Sequence, residues 1–318
     1  MNRLHRNNGA QIGGIFSKYR KRGINLLSNN DFSSPIATGW DQSSGVVQST
    51  FPDDKRSPCA LMTLSQGSRR LLRQHLNGMQ VSAQYLVAFR YVFQGDKVDQ
   101  VVVRVSLESA SSEVILSRSI GNTAAYCFLF LDAPSADTYF DVLPYGFADE
   151  VASGALYLDD MILAKCEPPP ESLLRNGGFE EEEKYWTLEH AAVRLINAVK
   201  PESGHHLVLA AAVERDSIAE QLLHLPKAGA GTYLLTFNMI RSLGDLTPPE
   251  PGEVALLGKG GGQTLGFAFG AVGVVTMTFL FTLSADEIAP DVTLRIAKLK
   301  FQPSIDTWFV DDVRLFPL

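Results

Sequence analysis

Cysteine is scarce, with only Cys59, Cys127 and Cys166 in 318 residues. The odd number and the spacing fit neither a disulfide framework nor a zinc site. Cys127 lies in an apolar run and reads as a buried free thiol. Acidic residues are absent from positions 1–23, and so is any apolar central stretch, which excludes a secretory signal peptide there. No long stretch carries a convincing 3.6-residue apolar period, so long amphipathic helices are not expected. One run, Thr264 to Leu283, is uncharged over 20 residues, the length of a membrane span. Gly266, Gly270 and Gly273 interrupt it, and Thr276 to Leu283 is rich in strand formers, so it reads as strands and not as a span.

What is present is ordinary globular material, 45% apolar and 20% charged, and it is written twice. Asn25, Leu26, Leu27, Asn29 and Phe32, followed by Trp40, correspond to Ser172, Leu173, Leu174, Asn176 and Phe179, followed by Trp186. Tyr157, Asp159, Asp160 and Leu163 close the first copy as Phe309, Asp311, Asp312 and Leu315 close the second. Between them, Gln84 to Phe89 matches Thr232 to Phe237, and each is preceded by an apolar stretch containing a glutamine, Gln74 or Gln221. This divides the chain into an arm at 1–24, a domain at 25–166, a linker at 167–171 built on Pro168, Pro169 and Pro170, and a second domain at 172–318.

Both domains read as β. Tyr85 to Phe93, Val101 to Leu107, Tyr126 to Leu131 and Tyr139 to Leu143 have strand density in the first. Tyr233 to Met239, Thr276 to Leu283 and Val292 to Ile296 have it in the second. Gly, Pro, Asn and Asp clusters separate them. The expected fold is all-β: two tandem antiparallel jelly-roll β-sandwiches behind an extended N-terminal arm.

The opening motif (Asn-Leu-Leu-x-Asn-Gly-x-Phe-Glu, then Trp) and the closing motif (aromatic-x-Asp-Asp-Val-x-Leu) resemble those of the galactose-binding-like jelly rolls. Within these, the nearest group is the carbohydrate-binding modules found beside xylanases and other polysaccharide-degrading enzymes. The resemblance covers both domains and leaves out the arm. It implies a structural Ca²⁺, held by the glutamate after the opening phenylalanine and an aspartate of the closing pair, with backbone carbonyls completing the shell. Those positions are Glu180 and Asp311 in the second domain. In the first, Asp159 is present but Ser33 stands in the glutamate's place. Strand alternation puts Phe309, Asp311, Val313 and Leu315 on one face, and Tyr157, Asp159, Met161 and Leu163 likewise.

The resemblance also implies sugar binding by aromatic rings stacked on pyranose faces. Candidates are Phe89, Tyr91 and Phe93, with Tyr126, Phe128 and Phe130, in the first domain. In the second they are Tyr233 and Phe237, with Trp308 expected to be exposed because it alternates away from Phe309. Aromatics alternating in a sandwich also serve as core, and Trp40 and Trp186 read as packing residues.

No catalytic set stands out. His205 and His206 are adjacent on a strand and point to opposite faces, a poor chelate. The glycines from Gly258 to Gly262 lack the Walker ending. No carboxylate pair is nominated for glycoside cleavage.

Charge is uneven. The net charge is −7, yet Arg3, Arg6, Lys18, Arg20, Lys21 and Arg22 make the arm about +6. The rest holds 22 basic and 35 acidic side chains, −13. A basic arm on an acidic body is expected to dock onto something negative, either nucleic acid or an acidic protein surface. A module pair with an anchoring arm and no export signal or catalytic segment suggests a non-catalytic virion protein of a phage tail, fibre, baseplate or capsid surface. On that reading the arm holds other virion proteins, the chain is a homo-oligomer, and the sandwiches contact a host surface glycan or neighbouring subunits. The alternative is an extracellular or cell-surface carbohydrate-binding accessory protein of polysaccharide degradation. A hydrolase with its site between the sandwiches is a third reading.

Overall fold

A computed structural model describes residues 25–65, 70–95, 100–119, 122–145, 154–166, 171–196, 204–210, 214–225, 231–242, 250–258, 261–269, 274–284, 287, 291–301 and 306–317. The arm, with Arg3, Arg6, Lys18, Arg20, Lys21 and Arg22, and the linker prolines lie outside the described residues.

The described strands separate into two units of ten. The first holds β1 (Gln42–Ser44), β2 (Val46–Phe51), β3 (Asp54–Leu64), β4 (Leu71–Asn77), β5 (Gln84–Gly95), β6 (Gln100–Leu107), β7 (Ala110–Ser117), β8 (Ala125–Asp132), β9 (Asp137–Tyr145) and β10 (Gly154–Lys165). The second holds β11 (Thr187–Glu189), β12 (Ala191–Ile196), β13 (Gly204–Leu209), β14 (Ser217–His224), β15 (Gly231–Arg241), β16 (Glu250–Gly258), β17 (Gly261–Phe269), β18 (Val275–Leu283), β19 (Asp291–Lys298) and β20 (Trp308–Pro317). Of the uncharged run from Thr264 to Leu283, the residues up to Phe269 fall in β17 and those from Val275 fall in β18. Among the described residues no helix is long and apolar enough to cross a membrane.

In the first domain the orders β2-β3-β10-β5-β8 and β1-β4-β9-β6-β7 form two antiparallel sheets. Adding ten to each label gives the pairings of the second domain: β12-β13-β20-β15-β18 and β11-β14-β19-β16-β17. The chain passes repeatedly from one sheet to the other, as in a jelly roll. Each domain is an all-β sandwich with the same topology. One core joins the sheets of the first domain, where Phe89, Tyr91 and Phe93 of β5 meet Val103, Val105 and Phe140 of the facing sheet.

The repeated motifs tie the two ends of each domain together, and they do so in the same way. Leu26 N–H donates to Leu163 O, and Leu173 N–H to Leu315 O, each at 2.8 Å. Asn29 and Asn176 both take φ near +50°, a conformation asparagine tolerates. Each amide spans its own loop, Asn29 bonding Ser34 and Pro35 and Asn176 bonding Glu181, Glu182 and Lys184. The Trp40 and Trp186 indole N–H groups donate to Asn29 O and Asn176 O, at 3.2 and 3.1 Å. Those rings pack on Phe32 and Phe179. Gln74 and Gln221, both buried, each accept a backbone N–H and return a bond to the same residue's carbonyl, Ser28 or Arg175. A buried amide paired on both its oxygen and its nitrogen escapes the desolvation penalty of a lone polar group.

The closing Asp-Asp pair is a β-bulge. Asp160 and Asp312 have φ of 54° and 52°, and the pairing register shifts at this point in both domains. The carboxylate of the preceding aspartate accepts the freed N–H at 2.7 Å in each. The extra residue resets the alternation, which corrects the single-face reading of the closing strands. Leu156 and Leu158 point into the core before the bulge, and Met161 and Leu163 after it. Tyr157 packs instead beside Phe51, Cys59 and Val92 on the opposite face. In β20 the buried residues are Trp308 and Val310, then Val313 and Leu315, while Phe309 and Asp311 are half-buried.

Candidate functional site

The aromatics nominated for sugar stacking are core. Phe89, Phe93 and Trp308 are 0% exposed, and Tyr91, Tyr233 and Phe237 are buried as well. Phe128 is buried, and Tyr126 and Phe130 are half-buried. The β5 and β15 aromatics alternate toward the facing sheet, where a sandwich is densest. Trp308 turns inward because it precedes the bulge. It packs against Phe267 and Phe269, with the Lys298 ammonium over its ring at 5.3 Å.

An exposed aromatic stands elsewhere, at Tyr139 on the outward face of β9, 43% exposed. Outward positions of β9 carry Asp137, Tyr139, Asp141 and Leu143, and those of β4 carry Arg73 and His75. Cross-strand register sets His75 opposite Tyr139 and Arg73 opposite Asp141. The His75 ring lies 4.9 Å from the Tyr139 ring, and the Arg73 guanidinium lies 4.9 Å from it on the same strand pair. Arg73 is held by a two-pronged bond to Asp141, 2.6 and 2.5 Å, which raises its pKa further. His75 is bonded to Asp137. Two planar groups beside a phenol ring, each fixed by a carboxylate, form a platform that presents an apolar ring surface with hydrogen-bonding edges. The signal in the sequence was the alternation Asp137, Tyr139, Asp141, but only the register with β4 shows that this ring faces outward between Arg73 and His75.

A second location recurs in both domains, beside the bulge. In the first, Asp159 is fully buried and faces Arg90 in register. The guanidinium donates to its carboxylate at 2.8 Å, Ser57 Oγ donates at 2.7 Å, and the Phe51 ring lies 4.0 Å from the guanidinium carbon. Burial pushes the Asp159 pKa up to about 6, against the pull of Ser57 and Arg90. Burial also raises the neighbouring Cys59 thiol to about 12, so it is inert. The three cysteines are buried, and none is in a disulfide.

In the second domain the residue in register with Asp311 is Asn238. No guanidinium reaches the carboxylate from β15. Glu180, Asp311, Asn238, His206 and Phe309 instead line a pocket of about 350 Å³, walled by Met239, Ile240 and Val274. His206 Nε2 lies 3.7 Å from the Asp311 carboxylate. Burial raises the Asp311 pKa, and the Asp312 N–H and His206 oppose it.

For calcium, the two domains differ. In the first domain Arg90 supplies a positive charge at Asp159. In the second, Glu180 and Asp311 do share one pocket with Asn238. They would supply part of the six to eight oxygens calcium takes, the rest falling to backbone carbonyls as the resemblance implies. Among the described residues no group of three or more His, Cys, Asp or Glu side chains is placed to hold a metal.

No protein-family model and no curated protein matches the sequence. In three dimensions the chain is similar to the tandem CBM22-1–CBM22-2 domains of Xyn10C from Paenibacillus barcinonensis. They share 10% identity over 94% of this chain and 100% of that one, with a TM-score of 0.36. It is similar also to TmCBM61, solved with β-1,4-galactotriose, at 16% identity over 46% of this chain and 99% of that one, TM-score 0.34. A third likeness is to the enzymatically active domain of tailspike protein 4 of bacteriophage CBA120. There the identity is 10% over 46% of this chain and 21% of that one, TM-score 0.35.

Proposed function

We propose that the chain is a non-catalytic carbohydrate-binding protein and that the Tyr139 face of its first domain holds the sugar. The observation that carries this reading is the exposed Tyr139 ring between Arg73 and His75. A pyranose ring has an apolar C–H face that stacks on an aromatic ring and a rim of hydroxyls that bond to fixed polar groups. Arg73, Asp141 and Asp137 supply those groups from strands, so little ordering is required on binding. Both carboxylates of the face are already bonded to Arg73 and His75, which suits recognition better than proton transfer.

Affinity electrophoresis against a panel of soluble polysaccharides tests it. Retardation by at least one glycan is expected, with a loss of about tenfold or more in Tyr139→Ala at unchanged melting temperature. Retardation that persists in Tyr139→Ala, or none for the wild type across the panel, overturns it.

A second reading is favoured by the concentration of six basic and no acidic residues in positions 1–23. It makes the chain a virion structural or attachment protein, the arm joining neighbouring proteins and the sandwiches facing a host glycan. Mass spectrometry of purified particles tests this second reading, and absence of the chain from them ends it.

A further inference from the structure

One outward face of the first domain is dry. Alternation turns Leu86 and Ala88 of β5, Phe128 of β8, and Ile162 and Ala164 of β10 away from the core, and none of them belongs to it. Register sets them side by side. Ile162, Ala88 and Phe128 make one row, and Ala164, Leu86 and half-buried Phe130 make the next. The first five are at most 1% exposed. Apolar side chains of this size on an outward face lose water only beneath a further layer of contacts. All ten described strands of the domain belong to its two sheets, so none of them is that layer. In the second domain Arg314, Thr236 and Thr278 take the places of Ile162, Ala88 and Phe128, while the other row is apolar in both. The domains also differ in what precedes them: a linker at 167–171 before the second, and 24 residues before the first.

We propose that residues 12–24 of the arm lie over this face of their own chain, as an added layer of the first domain. The place where the described chain begins carries the argument. Asn25 is bridged to Ala164, and its side chain bonds the Met161 carbonyl and the Leu163 N–H at 2.9 Å each. The preceding residues therefore enter at the edge of the dry face, on the side of β10 away from β5. From β10 to β8 is two strand spacings, about 10 Å, which three or four extended residues span. The arm has the matching chemistry in Ile12, Ile15, Phe16 and Tyr19, the spacing of one helix face. Beyond Phe130 on the same side of β8 stands exposed Asp132, within reach of the cations Arg20, Lys21 and Arg22. This inference does not rest on the Tyr139 face. It shortens the free anchor of the virion reading to residues 1–11, with Arg3 and Arg6.

Full-length Ala88→Cys puts one thiol in the middle of the face, on a background of three buried native cysteines. Its reaction with an aromatic disulfide reagent should be slow and independent of protein concentration. Adding Ile15→Asp and Phe16→Asp should speed it about tenfold or more, with the circular dichroism spectrum unchanged. Trypsin under native conditions, followed by mass spectrometry, should cut after Arg3 and Arg6 and spare Lys18 to Arg22. The two aspartates should open those spared sites. If Ala88→Cys does not fold, trypsin decides, and Phe130→Lys at the rim of the face should open the same sites. Equal labelling rates with and without the aspartates would assign the cover to another part of the chain and overturn the proposal. Cleavage at Lys18 to Arg22 as fast as at Arg3 in the wild type also overturns it. So does labelling that quickens on dilution as a dimer dissociates in sedimentation velocity, which would make the cover a second copy.

Discussion

At the bulge, the first domain sets Asp159 against Arg90, and the second sets Asp311 against Asn238. The same divergence appears at two other places. On the outward face, Arg73 with Asp141 and His75 with Tyr139 correspond by register to Glu220 with Arg295 and Leu222 with Thr293. The ion pair survives with its signs exchanged, at 4.0 Å, while the aromatic platform is gone and Leu222 is left exposed. In the core, Phe93, Val101, Pro144 and Leu156 correspond to Arg241, Glu250, Lys298 and Trp308. There the second domain buries Lys298 against Glu250 at 2.7 Å and Arg241 against Asp306, and burial lowers the Lys298 pKa. What stays constant is the set that satisfies backbone at the chain ends: Gln74 and Gln221, Asn29 and Asn176, Trp40 and Trp186. The lesson is that duplication preserved the residues with buried backbone to serve and released the faces and pockets, so the two copies now present different side chains there.

Breaking the bulge asymmetry should have the largest effect. Arg90→Met leaves the buried Asp159 without its cation and should cost about 3–5 kcal/mol. Asn238→Leu, at the matching position, should cost no more than about 1 kcal/mol because no buried charge depends on it. Scanning calorimetry of both variants checks this, and equal losses would show that the two bulges are energetically alike. The shared skeleton makes the opposite prediction. Gln74→Leu and Gln221→Leu each strand a buried backbone donor and acceptor, and each should cost about 1–3 kcal/mol. Urea denaturation that finds one much milder than the other would mean that the domains do not share this lock.

The smallest effect is in pH. Burial lifts Asp159 to about 6 in the folded state, above the ordinary carboxylate range near 4. Between those values the folded protein binds more protons than the unfolded one, so this group's contribution to stability falls as pH rises from about 4 to about 6. Denaturation midpoints measured across that window should decline with pH in the wild type and flatten in Asp159→Asn. A wild-type slope of the other sign would remove burial as the dominant influence on this carboxylate.

Much of the fold could be read from residues. The paired openings and closings pointed to a repeated β fold, Trp40 and Trp186 were recognisable as packing residues, and every expected strand is found within an observed one. The site was less readable. Alternation counted through Asp159-Asp160 and Asp311-Asp312 put the wrong side chains together, because a bulge adds a residue without any mark that counting detects. Phe89, Tyr91, Phe93, Tyr233, Phe237 and Trp308 were plausible rings for a sugar only while their facing sheet was unknown. Tyr139 was readable as a strand residue but not as a platform, since Arg73 and His75 are more than 60 residues away in sequence and meet it only through register.

Local chemistry by itself determined that there are two β domains of one kind, because strand propensity, turn residues and repeated capping asparagines act within a few positions of the chain. Which aromatic reaches solvent, which aspartate keeps an arginine and which is left facing a pocket were decided by strand pairing across long loops. Burial and charge partnership depend on neighbours that are distant in sequence, and only the folded sheets bring those neighbours together.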